Sequence, residues 1–224
     1  EGTPRQQEDP FGAAEDVKSA VTFLFLQEQV DPKRIGILGI CAGGGYALFG
    51  ASADHRIKAV ATISGVDLGA FIRSIPKPTL DSILNDAGDA RIQFANPDKS
   101  TVPPCGAAIE SIYDSFAQSE HILPRPVLLI AGSKADTLPY NQKAVELAKE
   151  PKRLYVVDGS THIDLYDRHA PQTYPKLSEF SSGCCKNLSI IQVMHAHPLS
   201  TVVTAATPCT VLKSARGRIK TIQT

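Results

Sequence analysis

Three short stretches hold residue types whose spacing can do chemistry. In Gly39-Ile40-Cys41-Ala42-Gly43 a thiol stands between two glycines, each two positions away, directly after the apolar run Arg34–Ile40. Glycines at that distance let a strand and the following helix approach closely around a strained residue. A thiol at a helix N-terminus faces unpaired N–H groups and the positive end of the helix dipole, which favour the thiolate. Cys41 is therefore a candidate nucleophile, and the Ala42 N–H points to where an oxyanion would form. A nucleophile needs a base, and the base needs an orienting acid. His162 in DGSTHIDLYD and Asp136 in AGSKAD supply them in the order nucleophile, acid, histidine, each after an apolar run. Asp164, two residues beyond His162, is an alternative acid. Tyr46 and Tyr166 either line the pocket or simply pack on helices. Each residue also has a plainer reading: Cys41 as a buried thiol in a glycine-rich turn, Asp136 as a turn or cap residue, His162 as a solvated loop histidine.

The elements that must position these residues alternate. Residues 13–29 place Val17, Ala20, Val21 and Leu24 on one helical face, and Asp31-Pro32 stops that helix. Arg34–Ile40 is a near-continuous apolar strand of the kind buried in a parallel sheet. A small-residue helix follows over 42–53, then strands over 57–64, 126–131 and 152–157, with a helix over 140–150 and a closing helix over 172–180. Residues 68–120 lose strand character and read as a helical insertion, or lid, broken by prolines. This alternation predicts an α/β domain over residues 1–180 with a mostly parallel sheet and helices on both faces. Cys41, Asp136 and His162 then fall on the strand C-terminal ends, where such sheets keep their sites. Four strands leave an open sheet edge on the N-terminal side of the series.

From Ser181 onward the pattern stops. All 23 acidic residues lie at or before Glu179, whereas residues 181–224 hold three of the five cysteines and five Lys or Arg. The stretch 181–224 therefore reads as an atypical tail, unstructured or the product of an intron or altered reading frame, with a functional basic tail as the other reading. The chain starts at Glu1 and its single Met is Met194, so the usual initiator is missing.

The 224 residues carry no net charge, no Trp and 6% aromatics, which removes the electrostatic and stacking case for nucleic acid or an anionic membrane. No apolar run is long enough for a membrane span, and the first residues do not form a secretory signal. An odd, irregularly spaced set of cysteines points to a reducing, intracellular, cytoplasmic setting. No G-x-G-x-x-G follows a strand, so no nucleotide cofactor is expected. Cys184, Cys185, His195 and His197 do not match common zinc spacing, so no metal is expected.

The stretches GICAGGG, AGSKADT and GSTHIDLYD together resemble the dienelactone-hydrolase-like α/β hydrolases, and among them the fungal polyketide transferase and thiohydrolase branch. EGTPRQQEDPF is similar to the segment preceding the nucleophile helix in that branch. The likeness runs from Gly2 to Phe180. It implies the α/β-hydrolase fold, Cys41 as nucleophile, His162 as base and Asp136 as its orienter. It also implies ester or thioester chemistry on a small-molecule acyl group, free or bound to a carrier protein, as in polyketide metabolism. Members of that family have several strands before the segment matching Glu1, and one of those loops supplies a second oxyanion N–H. The sequence thus presents two functional expectations: a Cys-His-Asp acyl hydrolase or transferase, and a truncated, inactive member of the same family.

Overall fold

The computed structural model describes residues 9–94, 110–116, 118–122, 124–184, 189–196, 200–207, 210–215 and 218–223. Helix α1 (Pro10–Phe25) starts where Asp9 accepts the Phe11 N–H at 3.1 Å, with Pro10 in the first turn. Its buried side is Pro10, Ala13, Ala14, Val17, Val21 and Leu24, the repeat of one helical face. Strand β1 (Ile35–Ile40) leads into α2 (Ala42–Ala53), whose residues are almost all buried. A Cβ on Gly50 would meet Val17 Cγ1 at 2.9 Å, so the glycine is what lets α2 lie against α1.

Strands β2 (Ile57–Ile63), β3 (Val127–Gly132) and β4 (Lys152–Val157) pair in parallel beside β1. Between β2 and β3 lie α3 (Leu68–Arg73), α4 (Lys77–Phe94) and the 3-10 turn Ser119–Ile122. Helix α5 (Leu138–Leu147) follows β3, the 3-10 turn Ile163–Tyr166 follows β4, and α6 (Ala170–Cys184) closes the series. The buried sheet divides its side chains between two cores by strict alternation. Val127 and Leu129 join α1 and α2 on one face, whereas Leu128 and Ile130 meet Leu165, Leu177 and Phe180 on the other.

The sheet does not stop at four strands, and the expected unstructured stretch after Ser181 is corrected here. Helix α6 runs on to Cys184, and β5 (Ser189–Ala196) pairs in parallel with β1, from Ile35↔Ser189 to Ile40↔Met194. Strands β6 (Ser200–Thr207), β7 (Thr210–Ala215) and β8 (Arg218–Gln223) continue as an antiparallel meander, giving the order β4-β3-β2-β1-β5-β6-β7-β8. The physical reason lies in Ile191 and Val193. Both are fully buried, so β5 supplies one of its faces to the main core while its backbone fills the edge of β1. The same pairing corrects the expectation of an open edge beside β1.

The expected insertion over 68–120 lies between β2 and β3. Helices α3 and α4 are described, and of the third expected helix only residues 110–112 are helical, while residues 95–109 lie outside the described residues. Its two roots are tied together. Asp67 Oδ1 accepts from Ala70 N at 3.1 Å and from Ser115 N at 3.4 Å, and Arg73 Nη1 donates to the carbonyls of Ser111 and Tyr113 at 2.8 and 3.1 Å.

Candidate active site

Cys41 sits between the end of β1 and the first turn of α2 with φ 58° and ψ −129°, a left-handed conformation that costs a non-glycine residue about 1–3 kcal/mol. Three backbone hydrogen bonds hold it there. Its N–H donates to the Ile63 carbonyl at 3.1 Å, and its carbonyl accepts from Gly44 N at 2.9 Å and Val66 N at 3.1 Å. A Cβ on Gly39 would lie 2.6 Å from the Gly44 Cα, and one on Gly44 would lie 2.7 Å from the Gly65 Cα. The close approaches around the turn therefore rest on Gly39 and Gly44. Cys41 is a free thiol, partly exposed. The Ala42 N–H opens α2, and among the described residues no acceptor faces it.

The loops after β3 and β4 are laced to each other. Ser133 N donates to the Val157 carbonyl and Lys134 N to the Ser160 carbonyl, both at 2.9 Å. Ser133 Oγ reaches Asp158 Oδ1 at 3.1 Å and accepts from Gly159 N at 2.8 Å. A side chain on Gly132 would collide with the Ser160 carbonyl, so only glycine permits the contact. This lacing carries Asp136 and Thr137 to His162.

The ring of His162 is held at both nitrogens. Nδ1 shares a 2.8 Å hydrogen bond with Thr137 Oγ1, and Nε2 shares one of 2.7 Å with the Tyr166 hydroxyl. Burial keeps the imidazole pKa below its ordinary value near 6.5, with the Asp136 charge pulling the other way. Asp136 is exposed and, among the described residues, makes no hydrogen bond to the ring; it acts on His162 through its charge. Asp164 is committed elsewhere: its carboxylate accepts from Thr161 N at 2.8 Å and from Arg168 Nε at 2.7 Å. Those bonds, the Thr161 N–H first, hold its pKa down to about 2. Asp164 thus shapes the loop and leaves the ring to Thr137.

The two tyrosines part company. Tyr46 is buried in the core beside Tyr113, ring centroids 6.2 Å apart. Tyr166 stacks edge-on to the imidazole, centroids 5.2 Å apart at 88°. Burial first, then the facing Cys41 charge, pushes the phenol pKa up. Ser64, the residue after β2, is the other non-glycine with positive φ (49°) among the described residues, and its hydroxyl donates to the His162 carbonyl at 3.2 Å. Sequence reasoning missed Thr137 and Ser64. The hydroxyl directly after Asp136 in AGSKADT was the signal for Thr137; Ser64 carried none.

Among the described residues no group of three His, Cys, Asp or Glu is placed to hold a metal ion. Cys185 and His197 of the conjectured tail cluster lie outside the described residues. No helix among the described residues is long and apolar enough to cross a membrane.

Residues 4–120 match the profile of the family described as "Dienelactone hydrolase family". The uncharacterized protein YcjY of Escherichia coli strain K12 is 28% identical over 212 residues, covering 75% of this chain and 69% of its own. Thiohydrolase aneE of Aspergillus aculeatus is 40% identical over 86 residues, 38% of this chain and 27% of its own, so the likeness to fungal thiohydrolases covers only part of the molecule. The crystal structure of the alpha/beta hydrolase GrgF from Penicillium sp. sh18 matches with a TM-score of 0.71 and 21% identity, over 82% of this chain and 75% of that one. The chain spans between 51% and 57% of the length of five other bacterial relatives.

Proposed function

The chain belongs to the dienelactone hydrolase family and carries the α/β-hydrolase fold, with five parallel strands and flanking helices; on that premise we propose that it cleaves an ester or thioester by acyl transfer through Cys41. The observation that carries this reading is a free thiol in left-handed backbone at a helix N-terminus, on the same strand-end face as a histidine held at both ring nitrogens. His162, neutral near pH 7 because burial depresses its pKa, takes the thiol proton. The thiolate attacks the acyl carbonyl, and the resulting oxyanion takes the Ala42 N–H. The imidazolium, oriented by Thr137 and stabilised by the Asp136 charge, returns the proton to the leaving group. Acyl-Cys41 then passes to water or to an alcohol acceptor.

A cysteine nucleophile suits a thioester, because attack exchanges one sulfur for another at little cost. The partial likeness to a protein named thiohydrolase supports the same substrate class. A polyketide-type acyl chain, free or carrier-bound, is the finer form of this proposal. The test is intact-mass spectrometry after exposure to a simple acyl thioester, beside Cys41→Ala. An acyl adduct that requires Cys41 supports the reading. Absence of an adduct in protein that circular dichroism shows to be folded supports a non-catalytic member of the family.

A further inference from the structure

Three consecutive residues after β2 reach, one after another, to His162, to α5 and to Cys41. Ser64 Oγ donates to the His162 carbonyl at 3.2 Å. The Gly65 carbonyl accepts from Asn141 Nδ2 at 2.9 Å, and the same nitrogen donates to the Thr137 carbonyl at 2.9 Å. Val66 N donates to the Cys41 carbonyl at 3.1 Å. The segment is itself fixed. Ser64 N donates to the Ile130 carbonyl of β3 at 2.8 Å, and Gly65 packs so close to the first turn of α2 that a Cβ on Gly44 would lie 2.7 Å from its Cα. The main chains of Cys41 and His162 thus hang from one short piece of backbone.

Ser64 is the strained member of that segment. It is fully buried with φ 49°, a left-handed conformation that glycine takes freely and a side chain disfavours. What serine adds over glycine at this position is a hydroxyl, and the hydroxyl reaches the residue proposed as the base. Thr137 and Tyr166 hold the imidazole at its two nitrogens and so fix how the ring is turned. Ser64 holds the His162 main chain and so fixes where the ring stands.

We infer that Ser64 is a positioning residue, whose hydroxyl sets the place of the His162 main chain relative to the Cys41 turn and thereby the approach of the imidazole to the thiol. This rests on the proposed roles of Cys41 and His162. Ser64 gives and takes no proton in this role; it acts through His162. A shift of about 1 Å between reacting groups costs up to roughly a hundredfold in rate, so such a contact matters more to the reaction than to the fold. The fold keeps its other ties there, Ser64 N to Ile130 and Asn141 Nδ2 to Gly65.

The experiment follows acylation of Cys41 by S-phenyl thioacetate, by intact mass, in the wild type, Ser64→Ala, Ser64→Gly, His162→Gln and Ser64→Gly combined with His162→Gln, and takes the urea midpoint of each. Ser64→Ala loses the hydroxyl and keeps a side chain on the left-handed backbone, whereas Ser64→Gly loses the hydroxyl and relieves the backbone. Both should acylate about ten- to a hundredfold more slowly than the wild type. Ser64→Gly should nevertheless unfold at a higher urea concentration than Ser64→Ala, so activity and stability part. With His162→Gln already present, Ser64→Gly should slow acylation no further, since both changes act through one residue. Wild-type rates in both Ser64 variants, rates that follow the urea midpoints, or an equal slowing in the His162→Gln background would overturn the positioning role and leave Ser64 a residue of the fold alone. A wild type that forms no Cys41 adduct, or His162→Gln acylating at the wild-type rate, would defeat the proposed roles of Cys41 and His162 themselves, and this inference with them.

Discussion

Thr137 Oγ1 lies 2.8 Å from His162 Nδ1, in the position beside the ring where the neighbouring carboxylate of Asp136 was expected. Under the proposed mechanism the orienting duty is therefore divided. Thr137, buried, fixes the ring, and Asp136, exposed, supplies charge from a distance.

Thr137→Val should separate these duties. Removing the hydroxyl leaves Nδ1 without its partner, a loss of about 1–3 kcal/mol. If the loss falls on the reacting state, the rate of Cys41 acylation drops roughly ten- to a hundredfold. Asp136→Asn, which removes charge and not a hydrogen bond, should cost less at neutral pH. It should also lower the His162 pKa further, because the Asp136 charge raises it. Acylation kinetics followed by mass, with His162 titrated by NMR, would check both; a larger rate loss in Asp136→Asn than in Thr137→Val would reverse the division.

The pH dependence of stability follows from the depressed His162. In the unfolded chain the ring protonates near 6.5, and in the folded protein at lower pH. Between those two values the unfolded state binds more protons, so stability rises with pH across that window and is lost as pH falls through it. His162→Gln should flatten that segment of a urea-unfolding series taken between pH 7 and 5. Asp164 adds a second acid window: its contribution is present above about 4 and disappears as pH falls toward 2, where the bonds from Thr161 and Arg168 are lost.

Asp67 joins the two roots of the insertion, so its loss should loosen that insertion before the sheet. Asp67→Ala removes the acceptor for Ala70 N and Ser115 N, at a cost of about 1–3 kcal/mol. Limited proteolysis within residues 68–115 should accelerate while the far-ultraviolet spectrum stays native. Asp67→Asn keeps the acceptor and should resemble the wild type at neutral pH. Burial raises the Asp67 pKa, so the folded state holds this proton more tightly. That group makes stability fall as pH rises above the ordinary carboxylate value, and the amide should abolish that slope. Equal proteolysis of the Ala and Asn variants would count against the shared-acceptor account.

Much of the site was legible because its residues obey local rules. Cys41 is marked by the glycines that its turn requires, and His162 and Asp136 by their positions after β4 and β3. Thr137 escaped because what matters about it is which atom it faces, and that is set by the lacing of two loops far apart in sequence. Strand β5 escaped for a related reason. Ile190-Ile191-Gln192-Val193 is too short a signal alone, and it becomes a strand because β1, more than 150 positions earlier, offers it an edge. Helix ends shifted by a few residues, as with α1, expected over 13–29 and observed at Pro10–Phe25.

The lacing of the β3 and β4 loops has a mechanical consequence. Ser133, Lys134, Asp158, Gly159 and Ser160 lock Thr137 and His162 into one body, while Cys41 belongs to another, anchored to Ile63 and Val66. The two are nevertheless bound to each other at several points: Ser64 N donates to the Ile130 carbonyl at 2.8 Å, Asn141 Nδ2 to the Gly65 carbonyl at 2.9 Å and Ser64 Oγ to the His162 carbonyl at 3.2 Å. An acyl group arriving beside Cys41 therefore meets a braced frame, which it must fit and cannot pry apart by breaking one contact.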